Sequence, residues 1–431
     1  MNVLMLTPGY PPLEGGGERY VAALAQELAS RGHRMVVVTA AGERAEAFWS
    51  GTRSREWVDD RPVVGITVIR LPLRGFAGRR LAMLALRKAM TALGMLGDLA
   101  LAPLERCGQR FPGLQGIDQA VADVGAVSIV HSFNISWEQC ILTGGRIAGR
   151  LGVPHVTSPF FHIGGGRTGS VWRNNGMPHQ RRALAAADAV LANTPSERDG
   201  LIALGVEPAR LHIVGAATPA LDAAAFDVPP PTLPGELTTG EAPIVLFLGR
   251  VSHDKGALLA MRAVAQLHRQ GVACRLALAG QPSPEAQRLA SRLRRQGLPI
   301  DLLGLVDEPT KAWLLAHCRA LVLPSRTDSF GLVLLEAWQH GKPVVVANVG
   351  GPADLVTHGV DGLQAPWGDV DALAAALRRV LCDRVLAERL GSAGQAKVAT
   401  HYTWAAVADR VEYAYRCATA SHSGESSGVH R

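Results

Sequence analysis

The sequence lacks the features that mark several special classes of protein. Its six cysteines lie far apart without a C-x-x-C pair, which excludes a disulfide framework and a structural zinc site. Charged residues make up only 19% of the 431 residues, and low-complexity tracts are absent, which excludes a highly charged or disordered chain. No run of about 18 uncharged apolar residues is present, and the opening residues lack the pattern of a signal peptide. These absences predict a cytoplasmic protein in a reducing compartment.

Short runs rich in β-branched residues alternate with amphipathic helical patterns through most of the chain. The runs of the first half are VLML, MVVVT, VVGITVIRL, VSIVH, PHVTS and LHIVG, and those of the second half are IVLFLG, CRLALAG, RALVLP and KPVVVAN. Near-continuous apolar strands separated by helices are typical of parallel sheets covered on both faces. We therefore predict an α/β fold.

A segment rich in Pro, Gly and Thr, residues 229–243, divides this alternation into two parts of similar size. We predict a first domain at residues 1–225, a linker at 226–242, a second domain at 243–400 and a flexible tail at 419–431. Ligands of such domains bind beyond the carboxyl ends of the strands, so the loops at these ends are the first candidates for a functional site.

The first of these loops contains three consecutive glycines, Gly15, Gly16 and Gly17, before a predicted helix. Glycines at a helix N-terminus let backbone amides approach an anion closely; the alternative is a loop whose glycines only turn the chain. The spacing is not G-x-G-x-x-G, and the second strand ends in Val38-Thr39-Ala40 without an acid that would hold a ribose. This pattern disfavours a Rossmann oxidoreductase.

Two loops of the second half carry charged residues. The segment GRVSHDKG places Arg250 and Lys255 after a strand, where a planar fork of donors and a compact charge suit a diphosphate; the alternative is a pair of surface cations. In residues 324–346, Asp328 precedes a predicted helix and Glu336 lies about two helical turns further on, close to the same face. One carboxylate would hold sugar hydroxyls and the other a ribose, unless they are a helix cap and an internal glutamate.

Basic residues are concentrated between positions 70 and 110. Eight of them stand against two acidic residues, Asp98 and Glu105, and they flank the apolar run LAMLALRKAMTALGMLGDLALAPL. This combination predicts an interfacial or acceptor-binding helix; the alternative is a core helix with a solvated basic edge. The excess is too localised, and has too few aromatic residues beside it, to indicate nucleic-acid binding.

Taken together, these motifs resemble glycosyltransferase family 4, whose members are retaining enzymes with the two-domain GT-B fold. PGYPPLEGGGERYVAALAQELASRGHRMVVVT resembles the family's opening, GRVSHDKG is similar to its G-R-x-x-x-x-K-G, and DSFGLVLLEAWQHGKPVVVANVGG resembles its E-x7-E region. HYTWAAVADRVEYAYR resembles its C-terminal helix. The resemblance implies two Rossmann-like domains whose parallel sheets face an interdomain cleft, the first completed by residues 401–418.

The same resemblance implies a role for each matching residue. The diphosphate would be held by Arg250 and Lys255, the donor sugar by Asp328 and the ribose by Glu336. The other implied residues are Gly16 and Gly17 at the donor phosphate and reacting sugar, Phe330, Gly331 and Leu332 lining the sugar pocket, and His131 as a catalytic residue near the reacting sugar. Arg250, Lys255 and Asp328 would be catalytic as well. No metal or cofactor is implied, and the donor substrate would be of the UDP or GDP type.

The implied activity is transfer of a hexosyl or related sugar from a nucleoside-diphosphate sugar to an acceptor hydroxyl, with retention at the anomeric carbon. Such an enzyme would serve polysaccharide, glycolipid or glycosylated-metabolite biosynthesis, with the acceptor on the first domain and the nucleotide on the second. Two alternatives share the fold: a nucleotide-sugar epimerase or hydrolase, and a catalytically silent nucleotide-sugar-binding module.

The basic segment bears on the acceptor. Cations beside an apolar run predict a lipid-linked or otherwise anionic acceptor and reversible contact of residues 70–113 with the inner face of a membrane. The alternative is a soluble small-molecule acceptor, with the segment serving as core helix and lid.

The sequence departs from the family pattern at two places. The first carboxylate of E-x7-E is Asp328, one methylene shorter than the usual glutamate, and the loop AATPALD stands where the family often has an N-G-V-D-like turn, which puts the position of Asp222 in question. Both departures concern the identity of the donor more than the class of reaction.

Overall fold

The computed structural model describes residues 1–13, 15–42, 63–74, 80–162, 169–219, 221, 229–231 and 233–428. Asp222 and residues 75–79 of the basic segment lie outside this part of the chain. The chain forms two compact units, residues 1–215 with 404–431 and residues 216–403. Each unit is built around one parallel sheet, which confirms the predicted α/β class with two Rossmann-like domains.

The first unit contains a seven-stranded parallel sheet with the order β3-β2-β1-β6-β7-β8-β9 and a small antiparallel pair, β4 and β5. Its strands are β1 (Asn2–Leu6), β2 (Arg34–Ala40), β3 (Ile66–Leu71), β4 (Leu73–Arg74), β5 (Gly113–Leu114), β6 (Ile129–Phe133), β7 (His155–Ser158), β8 (Ala189–Ala192) and β9 (Leu211–Ile213). The strand order reverses between β1 and β6, so the loops that follow these two strands are the expected place for a ligand.

Helices of the first unit connect these strands. They are α1 (Gly16–Ser30), α2 (Arg80–Leu93), α3 (Leu101–Arg110), α4 (Ile117–Ala122), α5 (Gln139–Leu151), α6 (Ser170–Asn175), α7 (Pro178–Ala185) and α8 (Pro195–Ala203), with 3-10 turns at Gly94–Ala100, Ile135–Trp137 and Pro208–Arg210. The central strands β1 and β6 are buried and mostly apolar, as expected for a sheet with helices on both faces.

The second unit has a six-stranded parallel sheet with the order β12-β11-β10-β13-β14-β15. Its strands are β10 (Ile244–Leu248), β11 (Arg275–Ala279), β12 (Ile300–Gly304), β13 (Ala320–Leu323), β14 (Val344–Ala347) and β15 (Gly362–Ala365). Its helices are α9 (Gly235–Thr239), α10 (Ala257–Arg269), α11 (Pro284–Arg295), α12 (Glu308–His317), α13 (Leu332–Gln339), α14 (Gly350–Leu355), α15 (Val370–Cys382) and α16 (Arg384–His401). Several begin at a polar cap: Ser283, Asp307, Asp369 and Asp383 each accept a backbone N–H three residues on, which stabilises the helix start.

The last helix, α17 (Trp404–Gly428), returns to the first unit. Its apolar side packs against α1 and the sheet and buries Val407, Val411 and Tyr415. Arg31 at the end of α1 pairs with Asp409 at 2.6 Å and with Glu412 at 3.1 Å. The helix continues ten residues beyond position 418, where the sequence predicted its end. No helix in the described ranges has the length and apolar character needed to cross a membrane.

Candidate functional site

The loops after β10 and β13 meet at the carboxyl edge of the second sheet. A Cβ built on Gly256 would lie 2.0 Å from the carbonyl oxygen of Pro324, and the residue has a φ of 79°, so only glycine fits there. This close approach places Lys255, at the end of one loop, beside the residues that follow β13. Two motifs separated by about seventy residues therefore form one site.

Lys255 and Asp328 form an ion pair in this site. The Nζ atom of Lys255 donates to Oδ1 of Asp328, and the two side chains are 18% and 19% exposed. The second carboxylate oxygen, Oδ2, is buried and accepts no hydrogen bond from the described residues. A buried carboxylate oxygen without a donor is costly, so this atom is a candidate acceptor for a ligand hydroxyl.

A second pair of the same kind lies on α13 and α12. Lys311 contacts Oε1 of Glu336 at 2.9 Å and Glu308 at 2.7 Å. Burial lowers the pKa of Lys311, whereas the carboxylates of Glu336 and Glu308 raise it by more. The pKa of Lys311 therefore lies above its ordinary value. Oε2 of Glu336 is buried and, like Oδ2 of Asp328, accepts no hydrogen bond from the described residues. Sequence reasoning missed Lys311 because it belongs to no motif.

Asp328 and Glu336 do not share a helical face, contrary to the prediction. α13 begins at Leu332, so Asp328 lies in the loop that precedes this helix, whereas Glu336 lies on the helix. Each carboxylate is instead held by its own lysine. The ring of Phe330 is buried and makes an edge contact with Tyr402, with ring centroids 5.8 Å apart. Gly331, with a φ of 95°, and Leu332 form the start of the helix.

Further charges surround this edge of the sheet. Arg250 is exposed directly after β10. Asp254, in the loop after β10, forms an ion pair at 2.8 Å with Arg326, in the loop after β13. The hydrogen bond from Arg326 holds the pKa of the Asp254 carboxyl below its usual range. The Arg326 guanidinium lies 4.7 Å from the centroid of Trp367. No cluster of three or more His, Cys, Asp or Glu side chains suited to a metal ion occurs among the described residues.

The glycine turn of the first unit lies after β1, at the point where the strand order reverses. Gly15 precedes α1 in an extended conformation, and Gly16 and Gly17 are the first residues of the helix. A Cβ on Gly15 would lie 2.0 Å from Oε2 of Glu18, so the turn encloses this carboxylate. Burial raises the pKa of Glu18. The structure places the Glu18 carboxylate directly against Gly15.

His131 does not lie in an open site, and the expectation that it touches a reacting sugar is corrected here. The side chain is fully buried: Nδ1 contacts the Tyr415 hydroxyl at 2.7 Å and Nε2 contacts Oγ of Ser158 at 2.9 Å. A neutral imidazole offers one donor and one acceptor, and both are used. Burial and the nearby His155 lower the pKa of His131 to about 3, so the ring is neutral. It is a polar link between β6, β7 and α17.

The basic segment has two different faces. On one face Met90, Ala100 and Leu104 form a small core with Met177. Arg87 on this side contacts both carboxylate oxygens of the buried Glu138, at 2.7 and 2.8 Å, so this cation belongs to the fold. The other face exposes four large apolar side chains, namely Leu81, Met95, Leu96 and Leu99. The segment is thus partly a core element, as its alternative predicted, and partly an apolar surface.

Both units match known protein families. Residues 15–217 match the family described as "Glycosyl transferase 4-like domain", and residues 242–383 match "Glycosyl transferases group 1". The first match includes the glycine turn, and the second includes both lysine–carboxylate pairs. His131 lies inside the first match, and Arg250 lies inside the second.

Curated relatives are glycosyltransferases. The chain is 33% identical to D-inositol 3-phosphate glycosyltransferase of Kribbella flavida over 268 residues, which cover 57% of this chain and 60% of that protein. It is 27% identical to glycogen synthase of Mycobacterium tuberculosis over 430 residues, 97% of this chain and 95% of that protein. The first of these matches spans less than two thirds of the relative's length.

Solved structures share the fold. Sucrose-phosphate synthase of Thermosynechococcus elongatus superposes with a TM-score of 0.72 at 21% identity, over 98% of this chain and 100% of that one. Anabaena Alr3699/HepE in complex with UDP superposes with a TM-score of 0.63 at 20% identity, over 96% and 99% of the two chains. At this level of identity the likeness establishes the two-domain architecture.

Proposed function

Because the chain belongs to the glycosyltransferase family 4 group with the GT-B fold, we propose that it transfers a sugar from a nucleoside-diphosphate sugar to an acceptor hydroxyl, with retention at the anomeric carbon. The observation that carries the proposal is the pair of lysine–carboxylate contacts, Lys255–Asp328 and Lys311–Glu336, each with one buried carboxylate oxygen free of a donor. Such oxygens suit the hydroxyls of a sugar and a ribose.

The second unit binds the donor in this proposal. Arg250 and Lys255 supply the positive charge for the diphosphate, Asp328 accepts a hydrogen bond from the donor sugar, and Glu336 accepts one from the ribose. The UDP bound to Alr3699/HepE supports a uridine nucleotide, although that protein is only 20% identical to this chain. The shorter Asp328 side chain is held by Lys255, which sets the place of its free oxygen.

The chemical difficulty is the departing diphosphate. As the bond between the anomeric carbon and the phosphate oxygen breaks, negative charge accumulates on that oxygen, and Lys255, Arg250 and helix N-terminal amides stabilise it. The acceptor hydroxyl attacks from the same face, and its proton passes to the departing phosphate. The chain therefore needs no nucleophile of its own, and the residues act by position and charge.

A donor and acceptor panel tests the activity. The protein is incubated with UDP-, GDP- and ADP-sugars, with and without cell-envelope lipids and soluble sugars, and free nucleotide is measured. Nucleotide release that depends on an acceptor, with the α or β configuration of the donor preserved in the product, is the expected result. Conversion without an acceptor indicates an epimerase or hydrolase, and binding without turnover indicates a silent module. Either of these outcomes contradicts the proposal.

The exposed apolar face of the basic segment supports a second part of the proposal, a lipid-linked or anionic acceptor reached at a membrane. In the segment Gly94–Ala100, Met95 and Leu96 lie before a kink at Gly97 and Leu99 lies after it, and Leu99 is 90% exposed. The helices on either side expose cations: Lys88 lies on α2, and Arg106 and Arg110 lie on α3. Apolar side chains enter the interface while cations are attracted to anionic lipid, and together they give reversible binding.

Vesicle co-sedimentation tests this contact. We expect the protein to pellet with phosphatidylglycerol vesicles at low salt and to leave them as salt rises. The triple change Met95→Ser, Leu96→Ser and Leu99→Ser is expected to lower the bound fraction by about tenfold or more, since each buried apolar side chain contributes roughly 1.5–3 kcal/mol.

Val360→Ser with Val385→Ser is the matched control, because it removes two exposed apolar side chains from the second unit. This control is expected to bind like the wild type. A wild-type protein that stays in the supernatant at low salt contradicts the membrane contact but not the transfer reaction.

A further inference from the structure

Two residues that are not glycine adopt a positive φ in the described part of the chain. Asn134 has a φ of 71° and Phe160 a φ of 49°. They follow β6 and β7, which are neighbouring strands, at the carboxyl edge of the first sheet. Asparagine tolerates this region of backbone space, but for a bulky residue such as phenylalanine it is a true outlier. Backbone strain of this kind is concentrated at active sites and ligand-binding sites.

Hydrogen bonds on both sides hold the strained residue. The N–H of Ile135 donates to the carbonyl oxygen of Pro159 at 2.8 Å. Glu197 lies on the other side: its Oε1 accepts the N–H of Phe161 at 2.5 Å and its Oε2 accepts the N–H of Asn193 at 2.7 Å. The backbone before and after Phe160 is therefore fixed, and the residue cannot relax into an ordinary conformation without breaking these contacts.

The strained conformation places the ring of Phe160 against the glycine turn. A Cβ built on Gly17 would lie 3.4 Å from the ring, which is ordinary contact distance. The ring also meets Tyr20 edge-on, with centroids 5.2 Å apart, and lies 6.0 Å from Phe133. Tyr20 and Phe133 are buried, whereas Phe160 is only partly buried. Among the described residues, Phe160 thus keeps part of its surface exposed beside the loop where the strand order reverses.

The chemistry of this surface limits what it can bind. An aromatic ring offers a flat apolar surface and no full charge, so it suits the C–H face of a ring whose hydroxyls point sideways. A phosphate or a linear polyol has no such face.

The geometry points to Phe160 as a specificity-determining residue of the first unit that stacks on a six-membered polyol ring, a pyranose or a cyclitol, carrying the acceptor hydroxyl. This inference rests on the proposed transfer reaction and adds the class of acceptor to it. Glu197 holds the backbone next to Phe160 in place, and the ring of Phe160 packs against Gly17.

Three variants test the role of the ring. Phe160→Asn removes it while keeping a residue that tolerates a positive φ. Phe160→Leu removes the aromatic face but keeps apolar volume, and Phe160→Tyr keeps the face. In the transfer assay we expect both ring deletions to raise the KM for a cyclic acceptor by about tenfold, the loss of an aromatic contact, with kcat and the donor KM nearly unchanged. Phe160→Tyr is expected to match the wild type.

Saturation-transfer NMR tests the same contact without turnover. Irradiation of the aromatic protons is expected to saturate the ring C–H protons of methyl α-glucopyranoside or myo-inositol with the wild type and Phe160→Tyr. At the same probe concentration the signal should be clearly weaker in both ring deletions than in the wild type, and mannitol should give none. Equal saturation in the ring deletions, no saturation of any cyclic probe by the wild type, or an unchanged acceptor KM overturns the inference. A wild type that transfers no sugar contradicts the proposed function, while the NMR arm still decides the role of Phe160.

Discussion

Replacement of Lys255 by alanine is expected to lower turnover by about 10²-fold or more, the loss that follows removal of one main stabiliser of a developing charge. Lys255 is the cation that the structure places on the Asp328 carboxylate, where the donor sugar is proposed to bind. Its removal takes a positive charge from the departing diphosphate and leaves the mostly buried Asp328 carboxylate without its partner. Both effects act on the reacting end of the donor.

The measurement is the rate of nucleotide release at saturating donor and acceptor. Lys342→Ala is the matched control, since it removes a partly buried lysine of the same unit that lies after α13. This variant is expected to keep its rate within about threefold. Thermal unfolding followed by circular dichroism checks that Lys255→Ala is folded. A folded Lys255→Ala variant with a near-normal rate would refute the assignment of Lys255 to the diphosphate.

Loss of the Glu336 carboxylate is expected to weaken donor binding. In Glu336→Ala we expect the KM for the donor to rise by about tenfold to a hundredfold, because a hydrogen bond to a charged group contributes roughly 1.5–3 kcal/mol. The ribose lies away from the bond that breaks, so kcat is expected to change less than KM. Steady-state kinetics with varied donor concentration separates the two effects.

Glu308→Ala controls for the loss of a charge beside Lys311. Glu308 contacts the same lysine at 2.7 Å, but its side chain is 64% exposed against 17% for Glu336. An exposed pair contributes little, so the donor KM of Glu308→Ala is expected to stay close to that of the wild type. Equal effects of the two substitutions would mean that Glu336 acts only by holding Lys311.

The alternation of apolar runs and amphipathic segments determined the class of fold. β1, β2 and β10 coincide with VLML, MVVVT and IVLFLG to within a residue or two, because a strand buried on both faces must be apolar along its length. β8, β12 and β15 were not recognised. AVLA is short and rich in alanine, and IDLLG and GLQA contain residues that are rare in strands. Their strand character comes from neighbouring strands that supply hydrogen bonds.

The residues of the candidate site also fall into those that the sequence predicted and those that only the structure showed. Arg250, Lys255 and Asp328 were predicted because they lie in short loops that parallel strands bring to one edge, and Glu336 because it lies on the helix that follows one of these loops. Lys311 was missed, since its pairing with Glu336 depends on how α12 packs beside α13. His131 was misjudged for the same reason, because its position at a strand end could not show that Tyr415 and Ser158 occupy both of its nitrogens.

Local sequence by itself therefore determined the α/β class, the division into two parts and the loops that carry the charges, because all three depend on residues close together in the chain. Tertiary structure alone decided which lysine holds which carboxylate, that Arg87 belongs to a buried pair with Glu138, and that Phe160 faces Gly17. These contacts join residues from 25 to 143 positions apart, and burial, which sets their strength, is a property of the packed chain and not of any segment.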